Sequence, residues 1–197
     1  MGNDAKADAY LASVLSRFDS SALASNKVLR RLIDSAALRA RLVGATAPAV
    51  KGVEFLDMPE IIIADLKGKV AMLDFLAHWC LQCIADFPYT KMLQEKYGPK
   101  GLVVIGLTEF YGYFGGQENI GRDIELVELK RFKAQHKLNF GFMVVPRENT
   151  EAYGVSGLPA VALIDRTGRI RYLRQGADYK RNVEQVIERL IDEQEHE

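Results

Sequence analysis

The stretch Ala71-Met72-Leu73-Asp74-Phe75-Leu76-Ala77-His78-Trp79-Cys80-Leu81-Gln82-Cys83 decides the fold. Its first half is almost continuously apolar, and residues 70–76 read as a strand buried on both faces. Asp74 is the one charged residue in that strand. The strand delivers the chain to Trp79, and the two cysteines open a helix that runs to about residue 97. At a helix N-terminus, unsatisfied N–H groups and the macrodipole favour an anion, so a Cys80 thiolate is stabilised there. The three-residue offset brings the Cys83 sulfur within bonding reach on the first helical turn. Attack by Cys80 on a disulfide, then release by Cys83, is the chemistry this geometry supports. The alternative is a pair of inert core thiols, and a strand followed by Trp-Cys-x-x-Cys argues against it.

Outward from this stretch, the chain alternates strands and helices. Upstream, residues 53–56 and 61–63 read as short strand pieces, and Leu66-Lys67-Gly68-Lys69 as a turn. Downstream, residues 102–107 form a second buried strand, and the Gly-, Tyr- and Phe-rich residues 110–121 a loop. A helix at 124–137 places Leu126, Leu129, Phe132 and Lys133 at helical spacing. A strand at 142–145 follows, then a hairpin of 161–165 and 170–174 around Arg166-Thr167-Gly168, then a helix at 182–193. The order βαβα, hairpin, α predicts an α/β fold: a mixed sheet flanked by helices on both faces. Residues 1–43 read as a helical hairpin appended to a main domain at 44–197. Its first helix covers 4–18, with Tyr10, Leu11, Val14, Leu15 and Phe18 on one face. Its second is capped by Asp19-Ser20-Ser21 and runs to about residue 41. The apolar stripes of this extension pack on the domain itself or on a second copy.

Composition narrows the function. The 197 residues carry 26 basic and 26 acidic side chains, a formal net charge of zero, and 48% hydrophobic residues. That balance supplies no electrostatic footprint for nucleic acid or an anionic membrane. No apolar run approaches the roughly 18–20 residues that span a bilayer. Met1-Gly2-Asn3-Asp4 lacks a basic n-region and an apolar h-region, so the start is not an intact signal peptide. A chain whose signal has been removed and a cytoplasmic chain both fit. The cysteine count is two, both in the motif. Structural zinc needs four ligands, and His78, His136 and His196 follow no finger or ribbon spacing.

At this point the chain resembles the thioredoxin superfamily. Asp74 lies six residues before Cys80, where thioredoxins carry a buried acid, and the resemblance implies proton transfer towards Cys83. Physically, a desolvated carboxyl has a raised pKa and can accept the resolving thiol's proton. Val155-Ser156-Gly157-Leu158-Pro159 matches the segment that holds a cis proline opposite the cysteines. By resemblance, Leu158 offers backbone hydrogen bonds to an extended substrate, and Trp79 and Pro159 shape the surface it meets. Gly44-Ala45-Thr46-Ala47-Pro48, Leu66-Lys67-Gly68-Lys69-Val70, Pro88 and the inserted helix near 124–138 are similar to the TlpA/ResA-like branch. Ile105-Gly106-Leu107-Thr108-Glu109 resembles a strand end that carries a functional glutamate, which makes Glu109 a second candidate acid.

The resemblance implies a thiol-disulfide oxidoreductase, more a reductase than an oxidant, acting on protein disulfides. Its clients would include apocytochromes or other extracytoplasmic proteins, with an upstream thiol electron donor. No dissociable cofactor is implied, because the redox equivalents reside in the Cys80–Cys83 pair. The branch is bacterial and mostly extracytoplasmic. Three positions depart from the pattern: Leu81-Gln82 replaces the Gly-Pro of common thioredoxins, and His78 precedes Trp79. His78 is read either as an imidazolium lowering the Cys80 pKa or as an exposed ring with no role. Two rival readings share the fold. A peroxiredoxin-like peroxidase would carry Thr three residues before its cysteine, where Ala77 stands. A Cu(I)-binding module would use the soft thiolates, but Met72 lies in the strand and Met92 deep in the helix.

Overall fold

The computed structural model describes residues 26–176 and 180–193; of the first 25 residues it describes Ser13 and Ser16. The expected helix at 4–18 therefore lies outside the described residues, as does the acidic end from 194 onward. The first described helix, α1 (Lys27–Leu42), starts at Asn26, whose side chain accepts the N–H of Leu29. Asn26 is extended (φ −100°, ψ 91°), so the helix does not run on from Asp19-Ser20-Ser21 as the sequence suggested. Asn26 is the better cap because its short carboxamide satisfies an orphan N–H of the first turn.

Six strands form one mixed sheet in the order β1-β6-β3-β2-β7-β8. They are β1 (Glu54–Leu56), β2 (Val70–Phe75), β3 (Leu102–Thr108), β6 (Gly141–Val144), β7 (Ala160–Ile164) and β8 (Ile170–Gln175). β2, β3 and β6 run parallel; β1, β7 and β8 complete the sheet in antiparallel pairings. All six residues of β2 are buried, which is why its sequence is apolar throughout and not alternating.

On one face, β2 turns Val70 and Met72 towards Phe87, Leu93 and Tyr97 of α2 (Leu81–Tyr97) and Leu129 and Phe132 of α3 (Arg122–Gln135). Val183, Ile187 and Leu190 of α5 (Lys180–Asp192) complete that layer. On the other, Ala71, Leu73 and Phe75 pack with Ile63, Tyr153 and Val155, and Leu42 of α1 joins them. Strand alternation therefore puts Asp74 on the face covered by α2.

Three further elements depart from the sequence reading. Ile61-Ile62-Ile63 looks like a strand, but Ile63–Leu66 is a 3₁₀ turn. The Asp65 carboxylate takes the N–H of Ile62, which ends the extended run, and Ile63 and Leu66 both go inward. Within the expected loop, β4 (Tyr113–Phe114) and β5 (Gln117–Glu118) pair as a short hairpin turned by Gly115 and Gly116, both at positive φ. Arg147–Ala152 forms a short helix, α4, directly before the Leu158 segment.

Candidate active site

Chain direction places the site. β2 ends at Phe75, the next four residues cross the C-terminal edge of the sheet, and Cys80 is the N-cap of α2. Cys80 and Cys83 are joined as a disulfide, and both are buried (6% and 3% exposed). The N–H of Cys83 donates to Cys80 Sγ over 3.2 Å, so the helix N-terminus already points a donor at the sulfur that would carry negative charge. The neighbours are open: Trp79 is 45% and Leu81 81% exposed.

Asp74, on the face of β2 that α2 covers, is 3% exposed, and its Oδ2 accepts the Thr90 hydroxyl of α2 at 3.2 Å. Burial pushes its carboxyl up to about 7. The Thr90 hydrogen bond pulls the other way, the Asp86 charge adds to the rise, and Lys180 partly offsets it. Asp86 is the functional-site neighbour that sequence reasoning missed. It sits one helical turn after Cys83, 2% exposed, with Gln82 donating to Oδ1 at 3.0 Å and Lys180 Nζ paired to the same oxygen. Its Oδ2 has no hydrogen-bond partner among the described residues. The signal was present: Cys83, Phe87 and Thr90 mark the buried face of α2, and Asp86 falls on it by spacing. Two buried carboxyls, Asp74 and Asp86, thus feel each other's charge and that of the partly exposed Lys180 ammonium.

His78 is neither of the two things expected. It is 8% exposed, stacked on Phe114 at 4.2 Å between centroids, and edge-on to Tyr111 and Tyr113. Burial lowers its pKa, against the opposing charge of Glu125, so near pH 7 the ring is neutral and cannot act as a cation towards Cys80. His78 instead supports an aromatic loop. Trp79 meets Tyr111 at 5.4 Å, and Tyr111 meets Tyr113 at 6.1 Å. Glu125, fully buried, holds this loop through both oxygens, accepting the N–H groups of Tyr111 (2.7 Å) and Gly112 (2.9 Å). Glu125→Ala should lower stability by about 2 kcal/mol, because two backbone donors lose their acceptor. It should also shift the emission of Trp79, the single tryptophan. Thermal unfolding and fluorescence read the two effects, and an unmoved emission maximum would show that Glu125 does not hold the loop.

Opposite this loop, the Leu158–Pro159 peptide is cis. Pro159 is buried and Leu158 half-buried; the backbone N–H and C=O of Leu158 have no partner among the described residues. The Gln175 side-chain oxygen accepts the N–H groups of Ser156 and Gly157, fixing the approach to the cis bond. Glu109 lies at the end of β3, in a groove with Trp79, Tyr111, Arg147 and Leu158. No hydrogen bond joins its carboxylate to either cysteine. Asp74, Trp79, Cys80 and Cys83 thus follow one another along the β2–α2 stretch, and Trp79, Glu109 and Leu158 line one groove next to the cis Pro159.

Comparisons with known proteins agree with this geometry. The family model for Redoxin matches residues 42–188. Thiol-disulfide oxidoreductase ResA of Bacillus thuringiensis is 29% identical over 136 residues, 68% of this chain and 71% of its own. ResA of Geobacillus thermodenitrificans is 26% identical over 149 residues, 75% and 78% of the two chains. A solved structure from Chlorobium tepidum, assigned as a thiol:disulfide interchange protein DsbE, superposes with a TM-score of 0.59. It is 28% identical and covers 75% of this chain and 97% of that one. The family match over residues 42–188, together with these relatives, places this chain in the Redoxin family, as a thiol-disulfide oxidoreductase of the TlpA/ResA-like branch of the thioredoxin superfamily.

Proposed function

We propose that the chain reduces disulfides in client proteins outside the cytoplasm, taking its electrons from an upstream dithiol protein. The observation that carries this reading is the Cys80–Cys83 disulfide at the N-cap of α2, preceded on β2 by the buried Asp74 carboxyl, pushed up to about 7. A group of that pKa exchanges protons with a thiol near neutral pH.

In the reduced protein, the Cys80 thiolate attacks one sulfur of the client disulfide. The client S–S bond breaks, a Cys80–client bond forms, and the departing client thiolate takes a proton. Asp74 then accepts the proton of the Cys83 thiol. The Cys83 thiolate attacks Cys80 Sγ, releasing the second client thiol and forming the Cys80–Cys83 disulfide. The client gains two electrons and this chain loses two. Trp79 and Pro159 shape the contact surface, Leu158 offers its backbone to an extended segment, and Glu109 meets client polar groups at the rim. The redox pair itself is the only electron carrier required. The TlpA/ResA-like membership supports an extracytoplasmic place of work, and no helix among the described residues is long and apolar enough to cross a membrane.

The test mixes reduced protein with a disulfide-bonded peptide and follows thiol release. Stoichiometric appearance of the Cys80–Cys83 disulfide is expected, with a midpoint potential near thioredoxin's ~−270 mV. A potential close to the ~−120 mV of a strong oxidant would overturn the reductase direction.

A further inference from the structure

Helix α1 precedes the matched redox fold almost entirely, yet it lies against the segment that leads into the cis peptide. Gly154, after α4, has φ +64°, and a Cβ there would stand 2.7 Å from the Ser35 carbonyl oxygen and 3.1 Å from Arg39 Cγ. Only glycine allows both that backbone conformation and that approach. Arg39 of α1 then reaches across. Its Nη1 donates to the Gly154 carbonyl and, at 3.2 Å, to Gln175 Oε1. The same Gln175 oxygen receives the N–H groups of Ser156 (2.9 Å) and Gly157 (3.2 Å). Residues 154–157 are thus pinned from behind by α1, either directly or through Gln175.

In front of that segment lies a groove of about 220 Å³. Trp79 and Tyr111 form one wall and residues 156–158 the other, and Arg31 of α1 lines it together with Arg147 and Glu151. Glu151 accepts from both guanidiniums, Arg147 at 3.0 Å and Arg31 at 3.4 Å. One helix outside the minimal fold therefore both lines the groove and braces its opposite wall.

We infer that α1 is part of the client-binding surface, and that Arg39 is a positioning residue that sets residues 156–158 for an extended segment flanking the client disulfide. This rests on the reading of the chain as an exchanger of protein disulfides. Arg31 acts from the groove itself, whereas Arg39 acts through Gln175 and the loop backbone.

The test measures steady-state reduction of a ten-residue peptide disulfide by the full chain, with dithiothreitol as the electron donor that re-reduces Cys80–Cys83 and its direct reduction of the peptide subtracted, and with the midpoint potential of each variant measured in parallel. Arg39→Ala should raise KM about tenfold, the loss of a charged hydrogen bond, with kcat within twofold and the potential unmoved. Arg39→Lys, which keeps the charge and one donor reach, should recover part of the KM. Arg31→Ala, at an exposed side chain, should raise KM about threefold and keeps the inference testable if Arg39→Ala does not fold. Unchanged KM in Arg31→Ala and in whichever Arg39 variants fold, or a fall in kcat at constant KM, would overturn the inference. Absence of exchange in the unsubstituted chain would instead overturn the underlying reading of its clients.

Discussion

Cys80→Ser should abolish disulfide exchange, with a loss of roughly three orders of magnitude or more in thiol release from a peptide disulfide. The magnitude follows from the chemistry. A serine hydroxyl is not an anion near pH 7 and forms no disulfide, so neither half of the exchange can begin. Cys83→Ser separates the halves. Cys80 still attacks and still caps α2, whose residue 83 N–H donates to it, but no internal thiol resolves the mixed disulfide. The Cys80–client adduct then accumulates and is weighed directly by mass spectrometry. Thiol release by Cys80→Ser at the unsubstituted rate would remove Cys80 from the nucleophile's role. Failure of Cys83→Ser to trap a client would do the same for Cys83.

How far the sequence carried this reading depended on how local each signal was. β2 and β3 were legible because strands buried on both faces need apolar side chains nearly everywhere, a pattern visible in a window of six residues. The cysteine pair was legible because four consecutive positions hold the whole motif. Failures came where the deciding partner is distant in sequence. His78 reads as exposed or cationic from its neighbours, but its rings arrive 33 to 36 residues later, at Tyr111, Tyr113 and Phe114. The charge on Asp86 is answered by Lys180, from the last helix. In α3, the apolar pattern points to Leu126 as inward; Leu126 is only half-buried, and Glu125 is buried instead. A loop that turns two N–H groups inward needs an acceptor, and hydrophobic periodicity carries no term for that need. Ile61-Ile62-Ile63 failed for a local reason, since one carboxylate two residues on was enough to convert an extended run into a 3₁₀ turn.

Asp74→Asn should stabilise the oxidised protein at pH 8 and slow its chemistry. In the folded chain burial raises the Asp74 carboxyl from 3.8 to about 7. Between those values the unfolded chain releases this proton while the folded chain keeps it. Stability from this group is therefore full below pH 4, falls as pH rises through the window, and levels off above about 7. The span corresponds to roughly 4 kcal/mol, an order-of-magnitude figure for a buried group whose charge is also felt by Asp86 and Lys180. Asparagine has no proton to lose and can still accept the Thr90 hydroxyl, so the fall disappears. Urea unfolding of the disulfide form at pH 5 and pH 8 isolates the effect, because the bonded cysteines do not titrate. At pH 8 the variant should be the more stable protein, and at pH 5 the difference should shrink. Catalysis should move the other way. Without a base for the Cys83 proton, resolution of the mixed disulfide should slow by about 10²-fold at pH 7, and the inflection near 7 in its pH–rate profile should vanish. A variant that is less stable at pH 8, or that keeps that inflection, would place the proton acceptor elsewhere, with the buried Asp86 as the next group to replace.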